Sequence, residues 1–467
     1  MADQVLEELK QLETAIPQMI EIAGNFKLDF YPMRFEICPS EIIYTFGAYG
    51  MPTRYTHWSF GKSYHRMKTQ YDYNLSRIYE MVINSNPCYA FLLDGNSIIQ
   101  NKMVAAHVLG HCDFFKNNIY FSFTNPKDVV ESMAVAADRF RNYEMVHGQQ
   151  KVEAFVDDVM AIQEHIDPHN LIRGKNREKK EKDGCCKRTS GTPYDDLWEL
   201  DHSRCDCKGG CSREKGKFPE QPEKDILLFI MENAREMEEW QLDILSTLRD
   251  EMFYFWPQMQ TKIMNEGWAT YWHLRIMREM DLTEAETIEF GKMHAGVVIP
   301  SRNSINPYHV GLKIFEDIEK RWDKELGEGA GREKIFEVRE MDNDISFLRN
   351  YLTKELVEEL DLYLYRKIGH EWKIVEKQWE KVRDYLVHNL TNVGFPTIVV
   401  EDGDFGKRGE MYLRHLFEDR ELNIPYLEKT LVHVYRLWKR PVHLETKIDN
   451  KSVLFSYDGE KASKKFI

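Results

Sequence analysis

The sequence predicts a mainly α protein, a multi-helix core followed by a small C-terminal α+β domain. Three observations carry this. Apolar residues recur at helical intervals from the start, seven helical segments are expected between residues 97 and 326, and after residue 391 the period changes to alternation. At 467 residues the chain is expected to form two or three domains and to bury a large core.

"MADQVLEELKQLETAIPQMIEIAGNF" opens as an amphipathic helix ending near Gly24. Leu28 to Trp58, rich in Tyr, Phe, Pro and Gly, reads as a packed irregular segment. "CYAFLLDGNS" (88–97) predicts a short buried strand closed by an Asp-Gly turn. Helices are then expected over 97–117, 127–149, 151–166, 226–249, 258–280, 283–295 and 308–326. Between the third and fourth, residues 173–222 are basic, glycine-containing and poor in aliphatics, and are expected to be a mobile Cys-rich insertion. "DKELGEGAGREK" (323–334) predicts a linker or long loop, because its glycines sit poorly inside a helix. Helices around 345–368 and 371–390 precede "PTIVVED", "EMYLRHLF", "IPYLEKTLVHVYRLWK", "PVHLETKI" and "SVLFSYD", read as strand, strand, helix, strand, strand, the last two joined by "DNK". The expected division is a core over 1–330, a helical connector over 331–390 and an α+β domain over 391–467.

Charge and composition narrow the function. Lys and Arg number 63 against 77 Asp and Glu, a net charge of −14 that matches polyanions poorly, so nucleic acid is not the expected partner. The N-terminus lacks the basic start and apolar stretch of an export signal, and no run approaches the roughly 18–20 apolar residues of a membrane span. A cytoplasmic location is the expectation. No glycine-rich phosphate loop follows a strand, which argues against a nucleotide enzyme. The cysteines lack the chain-wide spacing of a disulfide scaffold and fit a reducing compartment.

The chemistry centres on "AHVLGHCDFF" (106–115), where His107 and His111 lie four apart on one helix face, the spacing at which two imidazoles share a metal. The face is otherwise apolar, so each histidine must either find a hydrogen-bond partner or bind an ion. Val108 stands where the zinc-hydrolase pattern H-E-x-x-H carries its water-activating glutamate. In "MNEGWATYWHLRIM", Glu266 lies among aromatics with His273 seven residues on, and it would complete a three-ligand site, with zinc the expected ion and a position left open. Helix-dipole stabilisation of Glu266 is the structural alternative. A replacement base or electrophile is sought in His294, Tyr308 and His309, with capping and core packing as their alternative roles. Glu131, Asp138 and His273 are candidate partners behind the metal-binding histidines, the two carboxylates being otherwise ordinary ion-pair residues. Cys185, Cys186, Cys205, Cys207 and Cys211, with His202 nearby, are enough for a structural zinc, or form an unliganded loop.

Glu-Gly-Trp-Ala at 266–269 resembles the third-ligand helix of gluzincin-like carboxypeptidase families, which implies a gluzincin-like core and an oxyanion-supporting role for Tyr308 or His309. More widely, "LDFYPMRFEICP", "IIYTFGAYGMPTRYTHWSFGK", "VINSNPCYAFLLDGNSIIQNKMVAAHVLGHCDFFKNN", "IQEHIDPHNLIRG", "EGWATYWH" and "INPYHVGLKIFEDI" resemble the stage V sporulation protein R (SpoVR) family over nearly the whole chain. The Cys-rich insertion departs from most members. The resemblance implies a role in forming the peptidoglycan cortex of the spore, in a sporulating bacterium. It also implies association with a PrkA-type serine kinase and a von Willebrand-like protein. It implies no settled chemistry.

Two functions therefore stand. One is a metal-dependent hydrolase of a peptide or amide bond in a peptidoglycan-related substrate, with His107, His111 and Glu266 as ligands. The other is a non-catalytic regulatory or scaffold protein acting through partners, which Val108 favours and for which the exposed strands of the C-terminal domain would be the contact.

Overall fold

A computed structural model describes residues 2–73, 80–169, 217–300, 305–369 and 371–467. The chain is mainly helical, with a five-stranded sheet near its C-terminus. It divides into two compact units, Met1–Glu153 with Phe253–Phe395 and Ala154–Met252 with Pro396–Ile467. Residues 331–390 thus fall in the first unit, and the described residues 154–169 and 217–252 cluster with the C-terminal sheet.

The first unit is built on three packed helices, named here by what they carry: the histidine helix Ile98–Asn117, the glutamate helix Lys262–Glu279 and the tyrosine helix Pro307–Leu326. Small residues let their backbones touch. A Cβ on Gly110 would lie 2.7 Å from Ala269 Cα, and one on Gly267 would lie 2.4 Å from Gly311 Cα. Larger side chains would hold the helices about 8–10 Å apart, the ordinary spacing. Trp268, Tyr271, Trp272 and Phe315 fill the remaining space and are fully buried. Within this core Asp113 is fully buried, receives the Trp268 indole N–H at 2.8 Å and pairs with Arg339 at 3.2 Å. Burial raises its carboxyl to about 6 against the pull of that guanidinium.

A three-stranded sheet covers the other side of the histidine helix. Its strands are β1 (Met33–Cys38), β2 (Glu80–Ile83) and β3 (Cys88–Leu93), in the order β1-β3-β2, with β1 parallel and β2 antiparallel to β3. Cys88, Ala90 and Leu92 of β3 pack on Val104, Val108 and Cys112 of the helix. The strand expected at 88–97 is therefore central. The segment expected to be irregular is instead regular, supplying β1 and the helices Ser40–Tyr49 and Trp58–Asp72.

Four further expectations are corrected. The linker at 323–334 is a tight turn: Gly327 and Gly329 take left-handed φ of 103° and 96°, the next helix begins at Ala330, and Gly331 in its first turn packs against the Glu319 backbone. The helix at 345–368 is two short helices, Asp344–Tyr351 and Lys354–Glu359, followed by β4 (Leu364–Ile368). This strand pairs with β5 (Glu371–Glu376) as an antiparallel hairpin, and only Trp379–Leu390 of the next expected helix is helical. The helix at 226–249 is two, Ile226–Asn233 and Glu239–Gln260.

In the second unit the strands are β6 (Ile398–Phe405), β7 (Glu410–His415), β8 (Val442–Ile448), β9 (Lys451–Tyr457) and β10 (Ala462–Phe466), in the order β10-β9-β8-β7-β6. All neighbours are antiparallel except β7 and β8, which are parallel and need a crossover. The helix Ile424–Trp438 supplies it and buries Leu427, Leu431 and Val434. Asp449 and Asn450, both at positive φ, make the tight turn between β8 and β9 expected at "DNK". The earlier segment joins this unit through a bridge from Glu223 to Val400 and through Phe229 stacked on Trp438 at 5.7 Å. Asp158 receives His433 Nδ1 at 2.7 Å and the Arg436 guanidinium at 3.3 Å.

Cys38, Cys88 and Cys112 are free thiols. The zinc expected at Cys185, Cys186, Cys205, Cys207 and Cys211 lies outside the described residues.

Candidate metal centre

Each of the three helices is fixed at its start by a side chain. Ser97 and Gln100 form a reciprocal capping box, with Gln100 N donating to Ser97 Oγ at 3.4 Å and Ser97 N donating to Gln100 Oε1 at 2.8 Å. The glutamate helix is capped from elsewhere in the chain: Asp344 accepts from Ile263 N at 2.8 Å and Met264 N at 2.9 Å. Asn306 accepts from Tyr308 N at 3.0 Å and His309 N at 3.4 Å, with Pro307 in the first helical position.

The packed helices bring His107, His111 and Glu266 together. Glu266 Oε2 lies 3.5 Å from His107 Nε2 and 3.5 Å from His111 Nε2, and one atom from each residue falls within 4.8 Å of the others. Zinc bonds of about 2.0–2.1 Å at a tetrahedral angle separate neighbouring ligand atoms by roughly 3.3 Å, so this spacing suits one shared ion. The imidazole planes cross at 88° with centroids 4.6 Å apart. Glu266 Oε2 is buried and takes no hydrogen bond, a costly state for a carboxylate oxygen unless a cation meets it.

Partners behind the imidazoles orient them. His111 Nδ1 donates to Asn265 Oδ1 at 2.8 Å, which leaves the Nε2 lone pair facing Glu266. His107 Nδ1 lies 2.9 Å from His273 Nδ1, and His273 Nε2 lies 3.0 Å from His294 Nδ1. Two sets of tautomers satisfy the row; the one in which His107 Nδ1–H donates to His273 and His273 Nε2–H donates to His294 is the one that leaves the His107 Nε2 lone pair facing Glu266. Burial, helped by the neighbouring His107, holds His111 down to about 4 and His273 well below the usual imidazole value, so both are neutral and able to ligate or accept. Burial alone would raise the Glu266 carboxyl, but the two imidazoles and a hydrogen bond from Tyr308 outweigh it and lower its pKa.

The triad opens on a cavity of about 870 Å³. Met81, Met103, Met293 and Phe115 supply apolar wall, and Gln100, Gln258 and Lys262 supply polar groups. Tyr308 lines it too, its ring stacked on His107 at 5.8 Å.

Other sequence candidates are placed differently. His309 lies outside the cavity lining and bonds to the Val298 backbone, and His294 reaches the site only through His273. Glu131 and Asp138 are exposed, and Asp138 pairs with Arg141 at 3.2 Å. The partners behind the histidines are therefore Asn265 and His273, not these carboxylates. Periodicity correctly gives Glu131 and Asp138 a common face but cannot say what that face meets. Asn265 went unnoticed in the sequence; its signal is its place immediately before Glu266, one side chain round the same helix. Val108 is fully buried beneath β3 and is not part of the cavity lining.

Comparison with known proteins is consistent along the chain. The family described as SpoVR like protein matches residues 6–395, and the SpoVR-like C-terminal domain matches 396–449. The uncharacterized protein YcgB of Escherichia coli (strain K12) is 30% identical over 479 residues, covering 95% of this chain and 93% of that protein. No solved structure matches.

Proposed function

Since the chain belongs to the SpoVR family, whose name points to sporulation without naming a reaction, we propose that its helical unit is a zinc-dependent hydrolase of amide bonds in peptidoglycan-related substrates. The observation that carries this is the carboxylate oxygen of Glu266 held 3.5 Å from two neutral-facing imidazole nitrogens at the wall of a cavity of about 870 Å³. That volume suits a small molecule or a short chain end. Zinc bound there would supply a Lewis acid for a carbonyl oxygen.

The chain's own residues have distinct tasks. His107, His111 and Glu266 are the ligands. Asn265 and His273 fix the imidazole tautomers. Tyr308, whose one O–H donates to Glu266, lines the cavity and would turn that donor to a carbonyl oxygen as it gains charge. The three-ligand arrangement with an open side parallels gluzincin centres, but without their glutamate base. In a sporulating bacterium the site would work in the cytoplasm on cortex precursors, and the same family association makes a PrkA-type serine kinase and a von Willebrand-like protein its partners.

The buried Val108 favours a second reading, in which the ion only stabilises a regulatory or scaffold protein. The two separate on incubating the zinc-loaded protein with peptidoglycan precursors and muropeptides and following products by mass spectrometry. The hydrolase reading expects chelator-sensitive amide cleavage that falls about 10²–10³-fold in Tyr308→Phe, in line with the loss of one oxyanion donor. Absence of any product, with cortex formation still abolished by His107→Ala, would support the scaffold.

A further inference from the structure

We infer that the cavity beside the triad takes a ligand with a free carboxylate, held by Lys262 about one helical turn from the group that reaches the metal. This rests on the metal reading above and specifies its substrate class.

The charges lining the cavity are few. Among the described residues its lining contains one carboxylate, Glu266, and one permanent cation, Lys262. Glu266 is committed to the triad. The other polar lining groups, Gln100, Gln258, Asn265 and Tyr308, are amides and a phenol, and the lining histidines are committed to the triad and to the row behind it. A divalent ion would leave the lining with a positive excess that Glu266, its one carboxylate, does not offset, and Asp344, which lies near Lys262 but outside the lining, is engaged by the backbone amides of the helix start. An anionic ligand supplies what is missing, and does so on a chain whose net charge of −14 offers no general attraction for anions.

The position of Lys262 gives the excess a direction. It is the first residue of the glutamate helix, exposed at the cavity, with no carboxylate within ion-pairing distance among the described residues. Lys262 and Glu266 are four residues apart on one face, a rise of about 6 Å along the axis. Asp344, which caps this helix, is occupied by the Ile263 and Met264 amides. The matching ligand is therefore elongated, with a carboxylate at one end and a metal-reaching carbonyl a few bonds away. The end of a peptide chain has this form. Met81, Met103 and Met293, adaptable thioether side chains, leave the shape between the two anchors loosely specified.

The test uses the full-length zinc-loaded protein and two probes measured by titration calorimetry. One is succinic acid monohydroxamate, whose hydroxamate reaches the metal; the other is the same compound with its carboxylate replaced by a carboxamide. At about 50 mM salt, where surface charges are little screened, the acid is expected to bind at least about ten-fold more tightly than the amide. Lys262→Met should erase that preference while keeping its zinc and its affinity for the amide, and Lys262→Arg should restore it. Equal affinities in the wild type, or a preference that survives Lys262→Met, would overturn this inference while leaving the metal reading intact. No retained zinc and no zinc-dependent binding of either probe would overturn both.

Discussion

Val108 shows how much a single position constrains the chemistry. Its side chain is fully buried among Cys88, Ala90, Leu92 and Cys112, so restoring the glutamate of the zinc-hydrolase pattern would bury a charge under a sheet rather than aim a base at a substrate. Val108→Glu is expected to destabilise the protein by about 3 kcal/mol or more without raising any hydrolytic rate, as read by urea unfolding and product assays; a stable, more active variant would contradict the placement. Asn265→Ala tests the partner behind His111 and should weaken zinc about 10–100-fold, measured by competition with a chelator. The histidine pair and Glu266 were legible in the sequence because helical spacing and an apolar setting mark them. Asn265 and Lys262 were not, since a neutral amide and an exposed lysine look the same in a site as on any surface. Glu131 and Asp138 misled for the converse reason, being well spaced on a face that meets solvent.

Among the elements, the contact of the glutamate and tyrosine helices at Gly267 and Gly311 decides whether the site exists. Gly267→Ala would place a methyl 2.4 Å from the Gly311 backbone, where no flexible side chain can yield. Overpacking of this kind costs about 1–3 kcal/mol, and the variant should also lose zinc as the helices part; unfolding and metal content measured together check both. The cap on the glutamate helix gives a pH signature. Burial raises the Asp344 carboxyl from 3.8 to about 7, against the opposing pull of the Ile263 and Met264 amides. A folded value above the unfolded one means the native state holds the extra proton, so this contribution is complete below pH 4 and is lost as pH rises through 7. Between pH 5 and pH 8 the wild type should lose more stability than Asp344→Asn; identical losses in urea unfolding would contradict it. Long amphipathic helices and the C-terminal strands were readable from periodicity. The hairpin at Leu364–Glu376 was not, because Tyr, Arg, Lys and Glu in short alternation fit a solvated helix face equally well, and a lone glycine, Gly369 at φ 68°, is a weak mark of the break between the two strands.

At the scale of the molecule, the sequence places a domain edge near 390 where the period changes, and both the compact units and the family regions divide between 395 and 396. The return of residues 154–252 to the C-terminal sheet was hidden, since no local pattern announces that a segment packs against strands more than 150 positions later. What unites the first unit is that its glycine contacts, caps and buried imidazole partners all converge on His107, His111 and Glu266. Metal content of the purified full-length protein, by elemental mass spectrometry, tests that most directly. The account predicts about one zinc per chain that disappears in His107→Ala and survives replacement of Cys185, Cys186, Cys205, Cys207 and Cys211 by serine. No metal after supplementation, or metal lost only with the cysteines, would contradict it and leave His107 and His111 as core residues.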